Sequence, residues 1–446
     1  MRVQWMNGFR APGTPPRLDK VGVLKIGPAQ ARNVLVFEPG TTAGSAYIVP
    51  LAQWLVRTLP GWQVWSVERR QNLLEDQSVL TLAKERKVGA RAVYNYYLNW
   101  ILDPSIKHHV RVPSDASVQF AKDWGLNVAM QDLRIVIRDA QRLGGKVVLS
   151  GHSLGGGLVT AYATWDFGGR PGARGLNGLV FDDGASFQRA VSAAKASSDL
   201  AQLRATSSPW GGITVPLKGH GDIQLLGLLS TTGALAAAQQ PNVPSIGQGF
   251  VRTLLGSLLT PPQRLTNLAL FAYDTNVSTS KLGQAIFAVL AHEGRGISAR
   301  TVHGVHGWDA SGALTPPRRW AEMLGGTSVA GADGVEWYFP ARLTLDTSDA
   351  INNGIAAPAQ TVLGVHATMG AKLPRKLLMY AFGAAGGQSI LQATRQLANQ
   401  SHIPGRNLLL ISRQGIYAHN DPAGAYPHNV FFTGLVRFLR RVDAQR

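Results

Sequence analysis

The stretch KVVLSGHSLGGG, residues 146–157, contains an apolar run, a serine flanked by glycines and the start of a second apolar run. Residues 146–150 have the β-branched and apolar content of a buried strand, and the segment after Ser153 continues as a helical pattern through Tyr162 and Trp165. Gly151 and Gly155 stand two positions either side of Ser153, where larger side chains would crowd a sharp turn. The stretch predicts a strand, a tight turn that carries Ser153, and a helix.

The same alternation continues on both sides of this stretch. Apolar runs predict further strands, at 21–26, 34–37, 62–67, 178–182, 376–382 and 407–411. Helical patterns lie between or after them, at 47–59, 128–143, 388–399 and 429–441. Such alternation is typical of an α/β fold with a mostly parallel sheet and helices on both faces.

The chain is long enough for a core and an insertion, because 446 residues exceed one usual compact domain. From 185 to 373 the alternation is lost, and Leu/Ala-rich helical stretches alternate with Pro and Gly. We predict a mainly helical cap there, inserted after the strand that follows the Ser153 helix. The core then comprises 21–184 and 374–446, and residues 1–20 form an N-terminal arm.

Ser153 is the first candidate for chemistry. A serine hydroxyl is a weak nucleophile unless a strained turn exposes it beside a base that removes its proton. A bare G-x-S-x-G motif is common by chance, but here a strand precedes it and a helix follows. The combination favours a nucleophilic serine over an idle one.

The motif Gly-His-Ser153-Leu-Gly-Gly, together with the loop that follows the strand at 34–37, resembles the α/β-hydrolase superfamily, especially its lipases and esterases. The resemblance covers roughly 21–184 and 374–441. It implies a serine carboxylic-ester hydrolase that works through an acyl-enzyme, without a cofactor. Acyltransferases, amidases and carbon–carbon bond hydrolases share the same machinery, and a non-catalytic binding protein on this scaffold is a further alternative.

The resemblance also implies two backbone donors that stabilise the oxyanion. One is the N–H of Leu154, the residue after the nucleophile. The other comes from the loop after the strand at 34–37, where this chain has Pro39-Gly40 in place of the family's usual His-Gly. Thr41 is our first choice for that donor and Thr42 the second.

Two histidines near the C-terminus are candidates for the general base. The family's chain order of serine, acid and histidine favours His419, which lies after the last predicted strand and precedes Asn-Asp421-Pro. His428, at the start of the final helix, is the alternative.

The acid has several candidates. The predicted strand at 376–382 ends without a carboxylate, so the resemblance directs the search one strand earlier, to Asp182-Asp183-Gly184. We prefer Asp183, beside a permissive glycine, over Asp182. Asp346 and Asp349 are held in reserve.

Charge and composition limit the partners. The formal net charge is +18, from 44 Lys and Arg against 26 Asp and Glu, yet the basic residues are scattered along the chain. We therefore expect no nucleic-acid partner, some attraction to anionic surfaces, and solvated faces at patches such as Arg69-Arg70. The Gly-rich surroundings of His303 and His306 argue against a metal site. The expected substrate is a small or polymeric hydrophobic ester (lipid, aromatic or polyester), with cap aromatics such as Trp337 as possible lining.

No stretch of about 18 uninterrupted apolar residues occurs, which argues against an integral membrane segment. The first 20 residues lack the apolar core of a signal peptide. We expect a soluble chain. The compartment stays open between the cytoplasm and secretion with a removed leader, because the absence of cysteine fits both.

Overall fold

The structure is a computed structural model that describes residues 1–212, 214–216, 220–281, 283 and 290–445. Its strands are β1 Gln4–Asn7, β2 Lys20–Ile26, β3 Asn33–Glu38, β4 Trp62–Glu68, β5 Val147–His152, β6 Gly178–Asp182, β7 Val215–Pro216, β8 Asp222–Ile223, β9 Gly296–Val302, β10 Val305–Asp309, β11 Leu378–Gly383 and β12 Leu408–Ser412.

The α-helices of the described residues fall mostly between these strands. They are α1 Val49–Thr58, α2 Ser78–Lys84, α3 Ala90–Tyr97, α4 Leu126–Gln141, α5 Leu154–Thr164, α6 Ala193–Ala205, α7 Leu225–Gln239, α8 Gln248–Leu255, α9 Asn267–Thr275, α10 Pro317–Gly325, α11 Ala341–Ala350, α12 Pro358–Leu363, α13 Gly387–Gln400, α14 Asp421–Gly424 and α15 Val430–Asp443.

Eight strands form one sheet in the order β1-β2-β4-β3-β5-β6-β11-β12. The pairs β1–β2 and β2–β4 are antiparallel, and the other pairs are parallel. In this register His152 on β5 lies opposite Asp182 on β6, which in turn lies opposite Phe382 on β11. The residues that follow these three strands therefore meet at one edge of the sheet.

Side chains alternate between the two faces of the sheet, and each face is covered by helices. On one face Val34 and Val36 pack in a cluster with residues of α4, α5 and α13. On the other face Leu35 and Phe37 pack with residues of α1 and α15. The predicted mostly parallel α/β sheet with helices on both faces is confirmed.

Some elements differ from the predicted ones. Within residues 1–20, predicted as an arm, β1 pairs with β2 at the edge of the sheet. Between 185 and 373, β9 and β10 form a two-stranded antiparallel sheet among the helices. Short strands beside Pro and Gly carry too little periodicity to be seen in the sequence. In the part of the chain that the structure describes, no helix has the length and apolarity needed to cross a bilayer.

Candidate active site

Ser153 occupies a strained turn between β5 and α5. Its backbone has φ +57° and ψ −125°, a conformation that a non-glycine residue rarely adopts. Its N–H donates to the carbonyl oxygen of Asp182 at 3.0 Å, and its own carbonyl accepts from the N–H of Gly156 at 2.9 Å. The surrounding sheet and helix thus hold the strained conformation in place.

The glycines around Ser153 are there because backbone passes too close for a side chain. A Cβ on Gly155 would lie 2.1 Å from the carbonyl oxygen of Glu38, and one on Gly151 would lie 2.2 Å from the carbonyl oxygen of Gly155. A Cβ on Gly184 would lie 1.9 Å from the carbonyl oxygen of Ser153. The crowding expected at Gly151 and Gly155 is present, and Gly184 brings the end of β6 equally close.

Asp183 and His419 form a buried pair beside this turn. His419 Nδ1 lies 2.6 Å from Asp183 Oδ2, and the two side chains are 3% and 0% exposed. The other carboxylate oxygen of Asp183 accepts from the N–H groups of Ala384 at 2.7 Å and Gly386 at 2.8 Å. An acceptor on Nδ1 favours the tautomer with its proton there, so Nε2 is the nitrogen of His419 that can act as a base.

His152 links the serine turn to the histidine loop. Its ring centroid lies 4.5 Å from that of His419, and its Nε2 lies 2.9 Å from the carbonyl oxygen of His419. Because a carbonyl only accepts, Nε2 of His152 carries a proton and donates it. Burial lowers the pKa of His152 to about 3, with a further contribution from His419, so the ring is neutral. Ser153, Asp183 and His419 therefore share one edge of the sheet.

Asp182 does not make the contact with His419 that Asp183 makes. Its side chain is fully buried, and neither carboxyl oxygen has a hydrogen-bond partner among the described residues. Burial raises the pKa of Asp182 well above its usual range, and the charge of Asp183 adds to the effect. Burial therefore favours the neutral form of the Asp182 carboxyl, whereas Asp183 contacts the imidazole.

The other alternates lie in different surroundings. His428 is exposed just before α15. Asp346 accepts from Arg342 Nε at 2.6 Å and from the N–H of Leu126 at 2.8 Å. Asp349 accepts from the hydroxyl of Ser348 at 2.9 Å. The contacts of Asp346 are those of a structural carboxylate that joins α11 to the start of α4.

The loop after β3 lies directly against the nucleophile. A Cβ on Gly40 would lie 3.0 Å from the Cβ of Ser153. The guanidinium of Arg69 donates to the carbonyl oxygens of Pro39 and Gly40, the latter at 3.2 and 3.3 Å. In a trans peptide the C=O and N–H point in opposite directions. The N–H groups of Gly40 and Thr41 consequently point away from Arg69.

Arg69 is part of a buried ion network that the sequence did not indicate. It is 7% exposed, and its Nη1 lies 2.9 Å from Oε1 of the fully buried Glu336. Its Nε lies 3.8 Å from Glu38 Oε2. Burial raises the pKa of Glu336 to about 8 and that of Glu38 to about 7, although Arg69 opposes both shifts. The predicted solvated patch is therefore wrong for Arg69, because loop carbonyls and carboxylates replace its water.

The same correction applies to Arg70, which is 3% exposed. Its Nη2 lies 2.7 Å from Asp132 Oδ2, and its Nη1 lies 2.9 Å from Asp19 Oδ1. Arg70 also donates to the carbonyl oxygen of Phe9 at 2.8 Å. These contacts tie the N-terminal segment to α4 and do not involve the loop beside Ser153.

Asp421, two residues after His419, anchors the histidine loop. Its carboxylate accepts from the N–H of Ala418 at 2.7 Å and from the hydroxyl of Thr315 at 2.8 Å. His292 makes two contacts with the same carboxylate: its backbone N–H donates to Asp421 Oδ1 at 2.9 Å, and its ring Nδ1 lies 2.5 Å from Asp421 Oδ2. The His-x-Asp spacing was visible in the sequence, but the contribution of His292, 129 positions away, was not.

Among the described residues, no group of three or more His, Asp or Glu side chains is arranged to hold a metal ion. His303 is exposed, and His306 Nδ1 lies 2.9 Å from the carbonyl oxygen of Ser298.

Comparisons with known proteins return likeness in structure only. No protein-family model matches the chain, and no curated protein matches it in sequence. A carboxyl esterase from Bacillus coagulans is 11% identical with a TM-score of 0.38, over 99% of each chain. A monoglyceride lipase from Saccharomyces cerevisiae is 11% identical with a TM-score of 0.39, over 100% of this chain and 96% of that one. Identities and scores this low leave any assignment to the geometry of the site.

Proposed function

We propose that this chain is a serine carboxylic-ester hydrolase of the α/β-hydrolase fold, with Ser153, His419 and Asp183 as its catalytic triad. One observation carries the proposal: a buried histidine–carboxylate pair, 2.6 Å apart, lies at the sheet edge where a strained turn presents Ser153. Strain of this kind is retained when the surrounding structure enforces it, and it clusters at functional sites.

The reaction follows from the roles of the three side chains. His419 Nε2 takes the proton of the Ser153 hydroxyl as the oxygen attacks the ester carbonyl. The tetrahedral intermediate expels the alcohol, which receives that proton from His419, and an acyl-enzyme remains. A water molecule, deprotonated by His419, then attacks the acyl-enzyme and releases the carboxylic acid and free Ser153. Asp183 orients the imidazole and stabilises its protonated form.

The oxyanion of the intermediate is assigned to the N–H groups of Leu154 and Thr41. Leu154 is the first residue of α5, where backbone N–H groups have no partner within the helix. The Thr41 N–H shares a peptide with the carbonyl of Gly40, which Arg69 binds on the side away from it. Thr42 remains the alternative; its carbonyl accepts from the N–H of Glu336 at 2.8 Å.

Hydrophobic esters are the proposed substrates. Two exposed apolar side chains lie close in sequence to the triad: Phe187, four residues after Asp183, is 48% exposed, and Ile416, three residues before His419, is 56% exposed. We propose that these two side chains contact an apolar acyl or alcohol group of the substrate. Trp337 is fully buried, so it packs inside the protein and does not contribute to such a surface. We retain 185–373 as the proposed cap.

The test is hydrolysis of p-nitrophenyl esters of increasing acyl length, extended to aromatic esters and a polyester film. We expect turnover by the wild type and none above background by Ser153→Ala. Ser198→Ala, which removes an exposed serine hydroxyl on α6, is the matched control and should retain full activity. Turnover by Ser153→Ala would refute the proposal, and a folded wild type with no turnover on any ester would favour a binding role.

A further inference from the structure

A surface groove of about 560 Å³ lies at the opposite end of β5 from Ser153. We call it the arginine groove, because it is lined by Arg134, Arg138, Arg170 and Arg174. It adjoins Gly144 and Gly145, just before β5 begins, so the length of that six-residue strand, roughly 20 Å, separates it from Ser153. The groove is thus distinct from the candidate active site.

Two elements build the arginine groove. Helix α4 supplies Arg134 and Arg138, which lie one turn apart on the same face. The loop after α5 supplies Arg170 and Arg174, and two turns shape it: Phe167 N–H donates to Arg170 O at 3.0 Å, and Arg174 N–H donates to Pro171 O at 2.9 Å.

Contacts between α4 and the loop after α5 fix the positions of the two sides of the groove relative to each other. The guanidinium carbon of Arg134 lies 4.3 Å from the ring centroid of Phe167, a cation–π contact. Gln141 Nε2 donates to the carbonyl oxygen of Gly175 at 3.2 Å. The positive φ of Gly168 and Gly169, +74° and +81°, allows the tight turn that places Arg170.

In the described part of the chain, no carboxylate lines the arginine groove to balance its four positive charges, and Asp166, in the loop after α5, accepts from the N–H of Gly169 at 2.5 Å. Among the described residues, none of these arginines is in an ion pair, and no lining residue is a carboxylate. Asp139 pairs instead with Lys25 and Arg142, both at 3.5 Å. The pKa of Arg134 is lowered by burial and then by the charge of Arg138. The repulsion between these arginines is therefore a free-energy cost that none of the described lining residues offsets with a carboxylate.

The negative ends of two helix dipoles offset only part of this positive charge. The C-terminal turns of α4 and α5 face the groove through Gln141 and Tyr162. A helix C-terminus carries about −0.5 of an elementary charge, so two of them offset roughly one of the four positive charges. A net charge of about +3 remains in a concave site.

We propose that the arginine groove binds a phosphate-bearing anion with at least two negative charges. Guanidinium groups match phosphate oxygens in pairs of parallel hydrogen bonds, and an entering anion would relieve the repulsion between Arg134 and Arg138. The volume is within the roughly 300–1,000 Å³ typical of small-molecule sites, which indicates a phosphorylated small molecule or a phosphorylated headgroup. This inference does not depend on the proposed esterase function.

The experiment is calorimetric titration of the full-length protein with sodium tripolyphosphate in 150 mM salt, which screens long-range attraction. Two double variants, which we call the wall variants, each remove the charges of one side of the groove. One combines Arg134→Gln with Arg138→Gln, and the other combines Arg170→Gln with Arg174→Gln. The second pair lies on an exposed loop and is informative even if the first does not fold. Arg91→Gln with Arg300→Gln, two exposed arginines elsewhere, is the charge-matched control.

We expect saturable binding that either wall variant weakens at least tenfold and the control weakens less than twofold. Absence of binding, or equal weakening by the control, would overturn the proposal, because the second result would reflect only the net charge. Co-sedimentation with vesicles of phosphatidylcholine, with and without phosphatidic acid, distinguishes the two sources of phosphate. If the ligand is a lipid headgroup, the wild type should co-sediment with the phosphatidic acid vesicles and the wall variants should not. If the ligand is a soluble molecule, the protein should bind tripolyphosphate but not the vesicles. Ser153→Ala protein should bind as the wild type does, which separates this site from the triad.

Discussion

Replacing Arg69 with lysine should slow catalysis while leaving the triad side chains in place. The guanidinium donates hydrogen bonds to the carbonyl oxygens of Pro39 and Gly40 and to the carboxylate of Glu336. A lysine ammonium can keep the contact with Glu336, but it lacks the planar fork that reaches both carbonyls. The Pro39 carbonyl would then be buried without this donor, whereas the Gly40 carbonyl would keep the N–H of Ala43, at 3.3 Å.

The size of the effect follows from the Pro39 carbonyl. A buried polar group that loses its partner costs about 1–3 kcal/mol, so the loop in its present conformation becomes less favourable by about that amount. Turning the Pro39–Gly40 peptide toward water relieves that cost, but it moves the following Thr41 N–H away from the oxyanion. Loss of one such donor lowers kcat by about 10²–10³. We therefore expect kcat to fall about 100-fold for Arg69→Lys, with KM changed by less than about threefold.

Arg70→Lys is the control, since Arg70 is equally buried and paired but contacts the N-terminal segment and α4. The assay is steady-state hydrolysis of a p-nitrophenyl ester by both variants, with urea unfolding to compare their stability. Similar losses of stability should accompany very different losses of kcat. If Arg69→Lys keeps kcat within threefold of the wild type, or if Arg70→Lys loses as much, the role given to Arg69 is refuted.

Three further predictions concern the site and its surroundings. Asp183→Asn should lower kcat on the order of 10⁴-fold by favouring the wrong imidazole tautomer. Asp182→Asn changes a carboxyl whose oxygens make no hydrogen bond among the described residues, so it should leave kcat nearly unchanged; equal losses in the two variants would contradict the assignment. In Gly40→Ala the new Cβ would lie 3.0 Å from the Cβ of Ser153. Crowding that costs about 1–3 kcal/mol should lower kcat/KM roughly 5- to 150-fold, and an unchanged kcat/KM would show that the loop moves to accommodate the methyl group. Burial raises the pKa of Glu68 to about 7, so its protonated form stabilises the fold below pH 4.5, and this contribution is lost as pH rises through 7. Urea unfolding at pH 5 and pH 8 should show the wild type losing about 2.5 kcal/mol more stability than Glu68→Gln, and equal losses in the two proteins would contradict this role of Glu68.

The sheet could be predicted because its strands are buried on both faces and appear as continuous apolar runs. The predicted strands at 62–67 and 178–182 match β4 and β6 to within one residue. Strand β1 was not predicted, because four residues with one partner strand do not produce a distinct pattern.

Short-range motifs were enough to name the candidate site residues. The turn around Ser153 and the acid at the end of β6 are local features, and the structure brings Asp183 into contact with His419 as the chain order suggested. The supporting residues could not be predicted in this way. Arg69 meets Glu336 across 267 positions, and an isolated arginine pair in a sequence looks the same whether water or carbonyl oxygens surround it.

The arginine groove illustrates the same limit for surface charge. Its four arginines lie between positions 134 and 174, among apolar residues and glycines, and so they appear scattered along the chain. The packing of the loop at 166–175 against α4 brings them together. Clusters of charge that depend on tertiary packing are not visible in linear order.

Reaction of the folded protein with a fluorophosphonate, followed by intact-protein and peptide mass spectrometry, tests the assignment of Ser153 most directly. An activated serine beside a histidine–aspartate pair should acquire one covalent phosphonyl group, located on Ser153, and heat-unfolded protein should acquire none. Ser153→Ala should remain unlabelled, and Ser198→Ala should be labelled as fast as the wild type. Labelling of Ser153→Ala to the same extent, or no labelling of folded wild-type protein, would contradict the account.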